Sequence, residues 1–307
     1  MKTSSLPPLP WPSRFIDVGP GRVHMLDTGI PSPPSNASDS GKGEREEAPP
    51  LLLLHGTPTW SFLYRHLLAG LADRHRVIAY DHLGFGRSDR PQDWGYRPRD
   101  HSRIVARIVE SLELEEVILG VHDFGGPIGL SWALDHVERV RGLVLFNTWM
   151  WSLEGTSAAR MGRWLSGRIG RTLYRWNFSP RILLPLGFAD RKRLSRETHR
   201  AYLDAFPDPA SRHAPWIFAR ELAASGPWYQ ELWERREALS ELPALLLWGM
   251  RDPAFGPSAL ARWEEALPGA RIERLEDVGH FPQEEAPREV VRALREWLVS
   301  ISDAQGE

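Results

Sequence analysis

Short apolar runs recur along the chain at the spacing of a strand–helix repeat. Leu51–Leu54 is entirely apolar, and runs of the same kind fall at 76–80, 117–121, 140–146, 244–248 and 270–275. An apolar run of this length without polar alternation is what a parallel strand buried on both faces shows. Amphipathic stretches separate most of them, which predicts a mostly parallel sheet flanked by helices and joined by right-handed crossovers. Ahead of these runs, residues 14–27 read as two short strands joined at Gly19-Pro20-Gly21, a hairpin signal. Residues 30–50 hold Pro, Ser, Gly and charge with no large apolar residue after Ile30, and read as a mobile surface loop.

The alternation breaks once. From residue 148 to 242 the chain is rich in Arg, Trp and Leu at helical spacing and shows no strand pattern, so a helical cap inserted after the sixth strand is expected. This divides the chain into a first core part (1–147), a cap (148–242) and a second core part (243–307). Ligands of an open parallel sheet bind outside the carboxyl ends of its strands, and a cap there roofs the site. Of 14 Trp in the chain, seven lie in this segment: Trp149, Trp151, Trp164, Trp176, Trp216, Trp228 and Trp233.

Composition narrows the chemistry. With 307 residues, 38 Lys+Arg against 40 Asp+Glu and a formal charge of −2, the chain lacks the concentrated positive charge of a nucleic-acid binder, and no such partner is expected. The absence of Cys removes disulfides, thiolate nucleophiles and Cys-ligated metals. No apolar run approaches the ~20 residues of a membrane span, and the first residues lack a signal-peptide core, so a cytoplasmic protein without a membrane partner is expected. Nothing in the pattern bears on oligomeric state.

Loops after the predicted strands carry the candidate chemistry. His55-Gly56-Thr57-Pro58-Thr59-Trp60 follows one, and Asp81 to Asp89 follows the next and reads as a tight structural turn. At Val121-His122-Asp123-Phe124-Gly125-Gly126 an apolar strand runs straight into a helix start. A sharp strand-to-helix turn needs small residues two positions either side of its apex; Gly125 meets that, and Val121 does so only approximately. The apex is Asp123, at a helix N-terminus where free amides favour an anion. Asp252 and His280 follow the two apolar runs after the cap. Metal ligation by His82 or His122 beside Asp81 or Asp123 has no supporting spacing, so neither metal nor cofactor is expected. The arginine-rich stretches at 160–175 and 191–200 read as solvated helix faces.

The strand–Asp123–Gly125 turn resembles the nucleophile elbow of the α/β-hydrolase fold, with Asp in place of the usual Ser. The order Asp123, Asp252, His280 is that fold's order of nucleophile, acid and base. Among Asp-nucleophile members the chain is most similar to haloalkane dehalogenases, through H-G-T-P-T-W-S-F-L-Y-R at 55–65, D-H-L-G-F-G-R-S-D-R-P at 81–91, H-D-F-G-G-P-I-G-L at 122–130 and G-H-F-P-Q-E-E-A-P at 279–287. The resemblance implies that Asp123 attacks a saturated carbon to form an alkyl ester. His280, oriented by Asp252, then activates water to hydrolyse it, while the backbone N–H groups of Thr57 and Phe124 form the oxyanion hole.

Two positions depart from that family. Its members usually carry Trp after the nucleophile and, in many, Asn after His-Gly, to grip the leaving halide; here those residues are Phe124 and Thr57. Loss of such a donor costs on the order of 3 kcal/mol. An indole from Trp60, Trp149 or Trp151 is the expected substitute. The same triad serves epoxide hydrolysis if Tyr174 and Tyr229 protonate the ring oxygen, and it serves attack on a β-lactone. A binding protein that kept the fold without the chemistry is the reading from a different class.

Overall fold

A computed structural model describes residues 6–29 and 48–305. The expected loop at 30–50 lies, except for its last three residues, outside the described residues.

The strands are β1 (Ser13–Asp17), β2 (Arg22–Asp27), β3 (Leu51–Leu54), β4 (Val77–Tyr80), β5 (Val117–Asp123), β6 (Val140–Thr148), β7 (Ala244–Gly249) and β8 (Arg271–Leu275). They form one eight-stranded sheet in the order β1-β2-β4-β3-β5-β6-β7-β8. The hairpin β1–β2 and the β2–β4 pair are antiparallel, and every later pairing is parallel. β3 to β7 are buried along nearly their whole length, which is why they carry uninterrupted apolar runs.

β8 departs from the expected both-face burial. It closes the sheet edge with the half-buried sequence RIERL, in which Arg271 pairs with Glu273 and Glu296 and Arg274 pairs with Glu264. An edge strand meets water on one side, and its charges discourage pairing with a further strand. β5 and β6 each run two residues past their apolar pattern and carry Asp123 and Thr148 at their ends.

The helices flanking the sheet on the N-terminal side of the break are α1 (Arg65–Leu71), α2 (Pro98–Ser111) and α3 (Gly125–Asp135). α2 shows how they form. Pro98 occupies its first turn, the Asp100 carboxylate accepts the Arg97 N–H at 3.2 Å, and Ile104, Val105, Ile108 and Val109 form its buried side. Between β6 and β7 the chain runs through α4 (Ser157–Leu165), α5 (Arg168–Arg175), α6 (Leu184–Gly187), α7 (Arg196–Asp204), α8 (His213–Ala224) and α9 (Gly226–Glu234), with no strand among the described residues. After β7 come α10 (Pro257–Ala266), α11 (Pro282–Glu285) and α12 (Pro287–Gln305). No helix among the described residues is long and apolar enough to cross a membrane.

One buried ion ties the loops at the carboxyl end of the sheet. Asp81 accepts hydrogen bonds from Ser61 N–H (2.7 Å), Arg87 N–H (2.8 Å) and His24 Nδ1 (2.9 Å). Burial opposes its charge, but His24 and these donors outweigh burial and hold its pKa down at about 2.

Candidate active site

Asp123 ends β5 with φ +51°, in the left-handed region that a β-carbon disfavours. The strain turns the carboxylate out of the sheet, and glycines make the turn sterically feasible. A β-carbon at Gly56 would collide with the Asp123 carboxylate, and one at Gly125 would collide with the Leu54 carbonyl. Val121, larger than the turn ideally takes, fits because Gly129 faces it; a β-carbon there would lie 2.9 Å from the Val121 Cγ1. The Thr148 hydroxyl donates to the Asp123 carbonyl at 2.6 Å, which pins the turn to the end of β6.

Three side chains meet at this turn. Asp123 Oδ1 accepts the Thr57 N–H at 2.8 Å, and Oδ2 lies 3.5 Å from His280 Nε2. On the far side of the ring, His280 Nδ1 donates to Asp252 Oδ2 at 2.7 Å. Asp252 Oδ1 in turn accepts the Ala254 N–H at 2.7 Å. All three are buried. Burial opposes a charge on His280, but the Asp252 carboxylate, joined by Asp123, outweighs it and raises the pKa to about 10. For Asp252, burial is likewise overridden by His280, so its carboxyl titrates below the usual range.

Sequence reasoning missed the residue that holds the acid. Asn147, at φ +27°, donates Nδ2 to Asp252 Oδ2 (2.9 Å) and the Gly249 carbonyl (3.0 Å), and its Oδ1 accepts the Gly249 N–H (2.8 Å). Its signal was available: Asn147-Thr148 follows an apolar run, as Asp123 and Asp252 do. His122 was also passed over except as a metal ligand. Its Nε2 donates to the His280 carbonyl at 2.8 Å. Burial, then the neighbouring His280 charge, lower its pKa to about 3, so it is neutral. His55 braces the Gly56 loop through Nδ1 to the Gly56 carbonyl (2.7 Å) and accepts the His82 N–H at Nε2 (3.0 Å).

Above the three residues lies a cavity of about 420 Å³. Its wall is largely apolar, with Phe124, Leu165, Leu183, Leu222, Phe255 and Phe281, and Asp123 and His280 reach its surface. Of the expected pocket side chains only Tyr174 belongs to this wall. Trp60 is a correction: it is fully buried, stacked on Phe62 at 5.4 Å. Trp149 stands behind the wall, stacked on Phe255 at 4.5 Å and edge-on to Phe124 at 4.8 Å. Trp151 packs against Trp233 and Trp263, and Tyr229 against Trp149, also outside the wall. Large amphipathic rings serve the core as readily as a pocket, and the core claimed these four. No tryptophan belongs to the cavity wall among the described residues; its hydroxyl-bearing residues are Thr57, Ser157, Tyr174 and Ser179.

Comparison with known proteins agrees with this geometry. A family described as the alpha/beta hydrolase fold matches residues 49–287. Haloalkane dehalogenase 2 of Mycobacterium tuberculosis is 34% identical over 290 residues, covering 94% of this chain and 95% of that protein. The chain belongs to the haloalkane dehalogenase-like branch of the α/β-hydrolase family. Its fold is the α/β-hydrolase fold, and it is a hydrolase by family. The crystal structure of the haloalkane dehalogenase DatA from Agrobacterium tumefaciens superposes with a TM-score of 0.79 at 26% identity, over 94% of this chain and 97% of that one. A cis-3-alkyl-4-alkyloxetan-2-one decarboxylase of Shewanella oneidensis is also similar, 31% identical over 94% of this chain and 89% of its own length.

Proposed function

We propose that this hydrolase cleaves a carbon–halogen bond of a small, apolar, uncharged substrate in the cytoplasm, through an ester on Asp123. The observation that carries the reading is the line Asp123–His280–Asp252 at the base of an apolar cavity. Residues 148–242 then serve as a cap over a core built from 1–147 and 243–307.

Thr57 N–H already holds Oδ1, so Oδ2 of Asp123 is the attacking oxygen. A new C–O bond forms as the carbon–halogen bond breaks, and the halide leaves with the bonding pair. In the second half, water gives a proton to His280 Nε2 and its oxygen adds to the ester carbonyl. Oδ1 takes the developing charge, where the Thr57 N–H and the Phe124 N–H stabilise it. Collapse releases the alcohol, which takes the proton back from His280. The water's second proton, left on the Asp123 carboxyl, then passes to His280 and restores the carboxylate–imidazolium pair, so the one proton released overall is the one the ring sheds once Asp123 is esterified.

The two charges around His280 make this order workable. With Asp123 ionised, His280 is held as imidazolium by a pKa of about 10. Esterification makes Asp123 neutral and deletes its hydrogen bond and charge, which lowers the His280 pKa and frees the ring to act as a base. Asp252 keeps the ring in the tautomer whose Nε2 accepts the proton. For the leaving halide the nearest spare donor on a wall residue is the Thr57 hydroxyl, buried without a hydrogen-bond partner, which would have to rotate toward the cavity.

That modest donor set favours a second reading, attack on a β-lactone. There the carboxylate released by ring opening leaves from a strained ring and does not depend on an indole for stabilisation; loss of that carboxylate as CO2, with the C–O bond to Asp123 breaking and its electron pair returning to the Asp123 carboxylate, would leave an alkene. Epoxide hydrolysis has weaker support, because Tyr229 is not on the cavity wall. The test is a panel of a primary bromoalkane and a cis-3,4-dialkyl β-lactone, with bromide release and alkene formation measured beside Asp123→Ala. Bromide release abolished in that variant supports the first reading; alkene formation alone replaces it with the second; no turnover above the variant refutes both.

A further inference from the structure

Eight large hydrophobic side chains are exposed among the described residues, and six of them fall within 26 consecutive positions: Met161, Trp164, Ile169, Trp176, Ile182 and Leu186. Trp164 is 55% exposed and Trp176 76%. The same stretch is basic. Between residues 155 and 189 the chain carries Arg160, Arg163, Arg168, Arg171, Arg175 and Arg181 and not one Asp or Glu, in a protein whose formal charge is −2. None of these six arginines forms an ion pair with a carboxylate among the described residues. A solvated helix face explains the charge but not the exposed indoles and aliphatic side chains beside it.

We propose that this face of α4 to α6 docks on an anionic lipid bilayer. Interleaved arginines and bulky apolar side chains on short surface helices match a lipid headgroup layer above hydrocarbon. A second copy of the chain fits less well, because a two-fold contact sets this arginine-rich stretch, which carries no acid of its own, against itself. Nucleic acid would use the arginines and indoles but leave Met161, Ile169, Ile182 and Leu186 without a role. Met161 and Leu186 also line the cavity above Asp123, so docking sets its rim against the bilayer and an apolar substrate enters without crossing water. The entry route rests on the cavity being the substrate site; the docking does not.

Flotation of the full chain with phosphatidylcholine vesicles, with and without about 30% phosphatidylglycerol, tests the docking. Binding to the anionic vesicles is expected to be at least about tenfold tighter and to weaken in high salt. Arg163→Gln with Arg168→Gln should weaken it by about fivefold per arginine. Trp164→Ser with Trp176→Ser should remove most of it, with circular dichroism and turnover of a short, water-dissolved substrate unchanged. Three results overturn the proposal: no binding to either vesicle, equal binding to both, or RNA binding or self-association through the tryptophan pair without vesicle binding. Vesicle binding undiminished in the tryptophan pair would likewise overturn it, whereas a wild-type chain that binds anionic vesicles but turns over no substrate of the panel would count against the reading of the cavity alone.

Discussion

At the scale of single residues the site depends on groups that never touch substrate. Asn147 satisfies both backbone groups of Gly249, its N–H and its carbonyl, and one oxygen of Asp252. Asn147→Ala leaves that buried N–H without its partner and sets a β-carbon residue without side-chain compensation at positive φ. A loss of about 1–3 kcal/mol in urea denaturation is expected, with slower turnover from a loosened Asp252. His280 gives a prediction with a sign. Two carboxylates raise its pKa to about 10 in the free protein, where NMR titration should find it protonated through neutral pH. Once Asp123 is esterified one carboxylate is gone, so the ester-hydrolysis step in single turnovers should titrate at a lower pKa. An equal or higher value would mean that Asp123 does not carry the alkyl group. Asp123, Asp252 and His280 are legible in the chain because each follows an apolar run at a strand end. Asn147 follows one too, but an Asn-Thr pair ending a strand offers no nucleophile or base to mark it.

At the scale of elements, the cavity wall comes from the helices between β6 and β7 together with the loops after the core strands. Leu222 on α8 and Leu183 just before α6 line the cavity with Phe124 and Phe255. Leu222→Trp fills part of this space. It should lower kcat/KM for a long-chain substrate at least about tenfold more than for a short one, since poor fit costs on the order of 1–3 kcal/mol. The helical character of this stretch is readable from its spacing; the direction of each aromatic is not. Trp60, Trp149 and Trp151 were expected at the cavity by type, yet Trp149 supports its wall from behind, and Trp60 and Trp151 fill the core. Composition records that indoles are present, and only packing decides which face they take. β8 shows the same limit: an apolar reading of 270–275 overlooked three charged residues that belong at an edge.

Across the molecule, seven carboxylates are buried among the described residues, and Asp81 is one of them. Asp81 links β2, the segment before α1 and the loop after β4. Its depressed pKa contributes stability that is present above the unfolded value of 3.8 and is lost as pH falls toward about 2. Asp81→Asn turns an acceptor for three donors into a group with one acceptor oxygen, and should cost about 3 kcal/mol or more, read as a lower Tm at neutral pH and a smaller Tm drop in acid. The mostly parallel character of the sheet follows from the apolar pattern because burial on both faces leaves a continuous signature; the order of its strands does not. The distribution of exposed apolar groups over the surface has no such signature, because it depends on which helix faces are left without a neighbour.

The central claim is that Asp123 becomes covalently bonded to the substrate. Intact-mass analysis of His280→Phe after incubation with a primary bromoalkane, followed by peptide mapping, tests it most directly. The account predicts a stable added mass equal to the alkyl group, located on Asp123 and absent from His280→Phe with Asp123→Ala. Bromide release by the wild-type protein without any such adduct in His280→Phe, or an adduct on another residue, would contradict it.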